Sequence, residues 1–563
     1  LRNVEIAELL DRVSLLLEAN GEDRFKVIAF RRASTSVRNL DEDIEDLWKE
    51  DKLQDIQFIG EGIAKKIDEY LRTSRLRYLE ELEKNVPKGA IELMKIPGVG
   101  PRTAFKLASN FRIRNTEQLK LELSSGKLTE ALGQVMSKKI LHEIEKFQLS
   151  QRRMLLVEAM PLAEDLVDYF ADDGIGVDVA GSLRRGKSTV GDLDLLSQDA
   201  RAADVFTNYP GIDRVIERGP TKSSIMLKNG IQVDLRIVEK GSYGAAMLYF
   251  TGSKEHNIAI RNLAIEKGWK LNEYGLYDAK MERKIAGKSE EEVYIKLDLG
   301  FIPPEIRESR GEIEAAMKRK LPDLVKQENL KGDLQMHSRW SDGSDELEKM
   351  ALAAKEMGYQ YIAFTDHSLS ARIANGLSEE RFRKQWKMLD KLNERLSPFR
   401  ILKGVEAEVK GDGSLDFDKK FFDEFDLVGA SIHQSYRQSP EKLTERAIKA
   451  LSHPSVDFLC HPTNRLIGIR EGHPLDLPRV IKAAKDNGKM LEIDGQPNRL
   501  DLDDVWARRA MEENVPLVID SDAHSTGELE NVKFGVIVAR RAWLESKHIA
   551  NTLSLNDLLR RLS

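Results

Sequence analysis

The sequence predicts a multidomain chain with an α-helical N-terminal part, an α+β middle and a C-terminal α/β barrel. Three observations predict it. Residues 1 to about 150 read as short helices joined by polar connections. Residues 151–240 then change character, from an amphipathic helix to runs such as VDVAGSL, DLDLLS, SSIMLKNG and IQVDLRIV that suit strands. After Lys331, apolar strand-like runs (YIAFTDH, DLVGASIH, DFLCHP, MLEIDG, PLVIDSDAH) alternate with helical stretches, the pattern of a parallel βα fold. Polar residues stand at the C-terminal ends of those strands, where barrels gather active sites. At 563 residues the chain also exceeds what one core organises, and about three or four domains are expected.

Composition narrows the function. Charged residues make up 32% of the chain and no apolar run reaches the roughly 20 residues a bilayer needs, so a soluble, cytoplasmic protein with no membrane partner is expected. The opening LRNVEIAELLDRVSLLLEAN reads as an amphipathic helix and not as a secretory signal. Cys460 is the one cysteine, which excludes an intrachain disulfide and fits a reducing interior. A net charge of −6 argues against indiscriminate coating of nucleic acid but leaves room for local basic patches. Eight of the ten histidines follow residue 330, which points to a metal-binding C-terminal domain.

The N-terminal motif LMKIPGVGPRTAFKLA (93–108) sets Gly98 and Gly100 in a turn before a helix, so backbone N–H groups can approach a phosphate. It resembles a helix-hairpin-helix motif that grips the DNA backbone, with a monovalent cation at its turn. IQFIGEGIAKKIDEYL (56–71), with Gly60 and Gly62, is a degenerate copy that has Phe58 where the first Gly would stand. Upstream, Lys26 and Arg31 belong to a basic run interleaved with Phe25 and Phe30, candidates for phosphate contact.

GSLRRGKSTVGDLDLL (181–196) places Asp192 and Asp194 two apart in a strand, so both face one side. Asp234, in IQVDLRIV, completes a triad from a second strand. Three such carboxylates can hold two Mg²⁺ or Mn²⁺ ions about 3.5–4 Å apart for in-line phosphoryl transfer. Gly181, Ser182 and Arg185 offer an amide, a hydroxyl and a guanidinium to phosphate oxygens.

These residues resemble the nucleotidyltransferase motif of family X DNA polymerases. YGAAMLYFTGSKEHNIAIRNLAIEKGWKLNEYGLY (243–277) is similar to that family's nucleotide-contacting thumb. The resemblance implies that Tyr249, Phe250 and Gly252 pack on the sugar, that Asn257 meets the base, and that Arg261 meets the minor groove. Gly191 joins the nucleotide-binding set, and Lys66 falls where the family's lyase carries its Schiff-base lysine. The sequence departs from the family at Gln232, Val190, Gly62 and Phe58, and the last two bear on the lyase more than on the polymerase.

Residues 332–525 resemble a polymerase-and-histidinol-phosphatase (PHP) domain through DLQMHSRWSDG, FTDHS, GVEAEV, SIH, CHP and DSDAH. The resemblance implies a distorted (β/α)₇ barrel with up to three Mn²⁺, Zn²⁺ or Fe²⁺ ions at its mouth. The first site takes position 335 with His337, Glu406 and Asp522. The second takes Asp342, His367 and His524, and the third His433 and His461 with Glu406 bridging. Position 335 is Gln where the family has His, so a weak first site and blunted nuclease activity are expected. His453, His473 and His548 match no motif and read as solvated, and Cys460 as a small buried residue.

The expected order is a lyase-like domain (1–85), a helix-hairpin-helix domain (86–150), a palm (151–240), a thumb (241–315), a linker carrying a helix (316–330) and a PHP barrel (331–563). It implies a monomeric gap-filling repair polymerase at the nucleoid that uses dNTPs on gapped or nicked duplex DNA. A 3′-5′ exonuclease or abasic-site endonuclease in the barrel goes with it, and the alternative is a barrel that serves only as a scaffold.

Overall fold

The computed structural model describes residues 2–563 apart from 21, 39, 41–43, 74, 88, 95, 97–98 and 152. The chain divides into two compact units, Leu1–Arg152 and Arg153–Ser563. Among the described residues, every regular element of the first unit is helical. Its first helix, Arg2–Ala19, sets Ile6, Leu10, Val13 and Leu17 at helical spacing, and all four are buried. They share a core with Phe30 of helix Arg24–Arg38 and Ile67 of helix Glu61–Thr73. Helix Pro101–Asn110 opens on Gly100 and Pro101, where proline's fixed φ suits the first turn and its missing N–H costs nothing.

The second unit begins with a five-stranded sheet in the order Val177–Val179, Asp192–Ser197, Gln232–Ile237, Lys222–Leu227, Ile212–Arg218. Strands Asp192–Ser197 and Gln232–Ile237 are parallel and the other pairs antiparallel. Leu193, Leu195, Val233 and Leu235 are buried on one face, so period-2 alternation turns Asp192, Asp194 and Asp234 to the other. Next come helices Tyr243–Thr251 and Lys254–Glu266, then a three-stranded antiparallel sheet of Trp269–Asn272, Gly275–Asp278 and Lys284–Ala286. Buried Glu290 ties these layers together, pairing with Arg184 and with wholly buried Arg307, each at 2.6 Å. Such charges tolerate burial because each is partnered.

Seven parallel strands follow in sequence order: Gly332–Asp333, Tyr361–Phe364, Arg400–Glu408, Leu427–Ser431, Phe458–Leu459, Met490–Asp494 and Leu517–Asp520. A parallel bridge between Met336 and Ala523 joins the continuations of the first and last strands, and the barrel nearly closes. The expected barrel is therefore present.

The organisation departs from expectation between the motifs. Segment 316–330 is packed and does not act as a free connection: Leu324, Val325 and Leu330 are buried, and the Val325 N–H donates to the Leu544 carbonyl at 2.9 Å. Arg541, buried on barrel helix Val532–Arg541, donates to the Arg185 carbonyl at 2.6 Å and pairs with Glu308 and Asp504 at 3.1 and 3.0 Å. Palm, thumb and barrel thus form one compact unit. Among the described residues no helix is long and apolar enough to cross a membrane.

Candidate active sites

The parallel register sets Asp194 beside Asp234, with Asp192 two residues back on the same face. Burial first, then the charges of Asp192 and Asp234, pushes the Asp194 carboxyl up to about 7. Burial and Asp234 also raise Asp192. Asp192, Asp194 and Asp234 would hold a divalent cation here, whose charge would offset the crowding of the three carboxylates. Gln232 donates from Nε2 to Asp234 Oδ1 at 2.9 Å.

Gly181 has φ +67, and a Cβ there would lie 2.2 Å from Asp194 Oδ2. Gly181→Ala is thus expected to displace that carboxylate and cut nucleotide addition about 10²-fold, read by single-turnover primer extension. Ser182 follows it on the short helix Gly181–Arg184. Arg185 is already engaged, its Nε 3.1 Å from Glu308 Oε1 and its Nη1 2.7 Å from the Thr251 carbonyl. Gly191 lies against Arg153, which is held by Thr189 Oγ1 at 2.8 Å. Sequence reasoning missed Arg153 and Arg236, whose charges oppose the rise of Asp192 and Asp194 respectively. Arg236, two residues after Asp234 and so on its face, carried a legible signal.

The thumb candidates lie on two consecutive helices. Tyr249 packs edge-on against Phe250, ring centres 5.1 Å apart, and Phe250 lies under Arg236 at 4.9 Å. Asn257 Nδ2 donates to the Tyr249 carbonyl at 2.6 Å, and Arg261 Nε to the Asn257 carbonyl at 3.3 Å. Gly252 has no room for a side chain, since a Cβ would sit 2.7 Å from Asn257 Oδ1.

In the N-terminal unit Gly98 lies outside the described residues. Gly60, Gly62 and Gly100 face open space at or beside helix starts. Phe58 holds a left-handed φ of +66, the conformation a Gly would take without strain. Lys26 and Arg31 pair with Glu22 and Glu18 at 3.1 and 2.9 Å, exposed contacts that exchange easily for phosphates. Lys66 Nζ donates to the Gly62 carbonyl at 3.1 Å and lies 4.6 Å from the centre of the Tyr78 ring.

At the barrel mouth Glu406 is central. Its Oε2 lies 3.4 Å from His337 Nε2 and 3.1 Å from His367 Nδ1, and its Oε1 lies 3.4 Å from His433 Nε2 and 3.0 Å from His461 Nε2. His337 Nε2 is also 3.1 Å from Asp522 Oδ1. Asp342 Oδ2 is 3.4 Å from His367 Nε2 and 3.6 Å from His524 Nε2. Ligand atoms of His337, Asp342, His367 and His524 gather within 4.8 Å of one another, as do those of His367, Glu406 and His433. The His337 ring stacks on those of His367 and His524, centroids 4.5 and 4.4 Å apart.

Among the described residues, buried His337 Nδ1 and His461 Nδ1 have no hydrogen-bond partner, and His367 Nδ1 and Glu406 Oε2 face each other at 3.1 Å without hydrogen-bond geometry. Such orphaned donor atoms around mixed imidazoles and carboxylates fit divalent cations. Burial opposes a charge on His367, but Glu406 and Asp342 overcome it and raise the imidazole to about 9. Burial and then Arg499 push His461 down to about 4. Gln335 is wholly buried, and neither of its amide atoms has a partner.

Arg499, which sequence reasoning missed, lines the same cavity of about 1180 Å³, its Nε 3.6 Å from Asp494 and 3.9 Å from Asp522. His473 corrects the reading of a solvated side chain: it is buried, with Nε2 3.2 Å from the Ile432 carbonyl, because its N–H bond to the Thr463 carbonyl folds its loop inward. His453 and His548 are half-buried acceptors of the Ser455 and Glu545 N–H groups. Cys460 is buried, as expected.

Comparison with known proteins matches residues 1–76 to a helix-hairpin-helix domain, 246–308 to a DNA polymerase beta thumb, and 333–494 to a PHP domain. The first match covers the degenerate hairpin, not the one at 93–108. The chain is 37% identical over 563 residues to the DNA polymerase/3'-5' exonuclease PolX of Bacillus subtilis (strain 168), covering 98% of each chain. A probable phosphatase of Acetivibrio thermocellus is 31% identical over 191 residues, covering 32% of this chain and 74% of that protein. DNA polymerase lambda of Arabidopsis thaliana is 27% identical over 306 residues, covering 49% of this chain and 55% of that one. With the carboxylate face of the palm and the imidazole ring of the barrel, these likenesses lead to one conclusion: the chain belongs to the family X DNA polymerases that carry a C-terminal PHP domain.

Proposed function

We propose that the chain fills short gaps in DNA during base excision repair at Asp192, Asp194 and Asp234, and trims 3′ ends at the barrel mouth. The observation that carries the first half is the parallel register of Asp194 and Asp234. Side-by-side carboxylates suit two Mg²⁺ or Mn²⁺ ions. When bound, such ions supply the positive charge that in-line displacement at a triphosphate requires. The chain's own part is positioning. Gln232 orients Asp234, and Gly181 leaves room for Asp194. Ser182 offers its hydroxyl to phosphate oxygens, and Arg185 does the same on leaving Glu308. Residues 249–261 form the wall for sugar and base. The hairpins at Gly60 and Gly100 hold the duplex backbone, with a monovalent cation at their turns, and the chain works as a monomer in the cytoplasm, at the nucleoid. Incubation with singly gapped DNA, dNTPs and Mg²⁺ or Mn²⁺ tests this. One-nucleotide extension is expected, and no extension with either ion refutes it.

At the barrel mouth the donor set suits up to three Mn²⁺, Zn²⁺ or Fe²⁺ ions, which when bound activate water and clamp a phosphodiester. Gln335 makes the first position weak, because a neutral amide oxygen is a poorer donor than imidazole. Gln335→His is expected to raise metal affinity on the order of tenfold and to speed 3′ trimming, read by elemental analysis and by a labelled-primer assay. A second reading, the barrel as scaffold, is favoured by Gln335 standing where the family has His. It prevails if Gln335→His leaves every DNA end intact with every ion. Lys66 is the proposed lyase nucleophile, which attacks the sugar aldehyde as the free amine. Borohydride trapping on a 5′-deoxyribose-phosphate end should give an adduct that Lys66→Ala loses.

A further inference from the structure

We propose that Leu369 and Ile373 form an apolar wedge that parts the last base pair of duplex DNA, so that the 3′ strand alone enters the barrel cavity. The proposal rests on the 3′-trimming reading. Loop 368–376 begins directly after His367 and walls the cavity that holds His367, Glu406 and His433. Its apolar side chains stand in solvent: Ile373 is 105% exposed and Leu369 54% exposed. A slack loop would fold such side chains away from water, but this loop is fastened along its length. Ser368 Oγ and the Ser370 N–H donate to Asp416 Oδ2 at 2.6 and 2.7 Å. The Leu377 N–H donates to the His367 carbonyl at 2.7 Å and closes the base of the loop. Asn375, with φ +55, donates to the Trp340 and Ser341 carbonyls, both at 3.2 Å. Arg381 donates to the carbonyls of Asn375 and Gly376 at 2.8 and 3.2 Å. Gly376 seals the turn, since a Cβ there would lie 1.9 Å from the Ser368 carbonyl oxygen.

The cluster runs from an exposed rim at Asp342 to a buried floor. Glu406 is 1% exposed and His461 2%. On this proposal a phosphodiester reaches that floor after its nucleotide has left its partner strand and passed the loop. Apolar side chains pushed into a base step accomplish such unstacking. Arg372 between the two wedge residues, and Lys410 across the cavity, supply cations for the backbone of the parted strand.

Two readouts separate this proposal from the reading beneath it. The first is the ratio of trimming rates on a paired 3′ end and on the same duplex with a short unpaired 3′ end. Leu369→Ser with Ile373→Ser is expected to lower that ratio about tenfold or more, and Ile373→Leu to keep it. The second is 2-aminopurine at the paired 3′ terminus, which should brighten on mixing with wild type, before strand loss, and not with the double variant. An unchanged ratio, or no brightening with wild type, overturns the wedge. Trimming of paired ends without brightening sinks the wedge and leaves the nuclease reading intact. Brightening without trimming of either end supports the wedge and sinks the nuclease reading.

Discussion

Asp234→Ala is expected to reduce nucleotide addition by at least about 10³-fold while DNA affinity stays within about twofold. Asp234 stands beside Asp194 across the central parallel pair, and its removal leaves two carboxylates where the proposed site has three. It also frees Gln232 Nε2, a change too small to unfold a sheet whose core is Leu193, Leu195, Val233 and Leu235. Affinity for DNA comes mainly from phosphate contacts elsewhere. Single-turnover extension on gapped DNA, beside fluorescence anisotropy on the same substrate, reads both quantities. Extension at the wild-type rate would remove Asp234 from the site. An equal loss of binding would make its role structural.

Glu406→Ala is expected to cut 3′ trimming about 10³-fold and to lower the metal content of the barrel, with gap filling unaffected. Among the described residues, Glu406 is the one side chain within 3.4 Å of His337, His367, His433 and His461 together. Without it His367 loses the partner that does most to raise its imidazole. Elemental analysis gives a readout that does not depend on turnover. Full metal content with full trimming would mean that the histidines hold the ions without it.

The sequence discloses what local spacing controls. Asp192 and Asp194 had to share a face because strand side chains alternate, and the barrel followed from apolar runs alternating with helices. The imidazoles were legible because each stands at or just past the end of a strand. The contacts among them were not, because the rings of His337, His367 and His524 stack from distant stretches of the chain. Arg185 shows the same limit. Its position beside the carboxylate motif suggests phosphate, yet its guanidinium rests on Glu308, 123 residues away. Arg541 lies 356 residues from Arg185, whose carbonyl it caps, and nothing in either local pattern announces the contact. His473 carries no periodic signal, so only the packing of its loop reveals that it is buried.

On the proposed function, one chain carries two separate metal-dependent centres, one that lengthens a 3′ end and one that shortens it. A single time course of a 5′-labelled primer in gapped DNA, run with and without dNTPs, tests it most directly. Wild type should extend the primer with dNTPs and shorten it without them. Asp234→Ala should only shorten it, and Glu406→Ala should only extend it. Loss of both activities from either substitution, or extension by Asp234→Ala, would contradict the account.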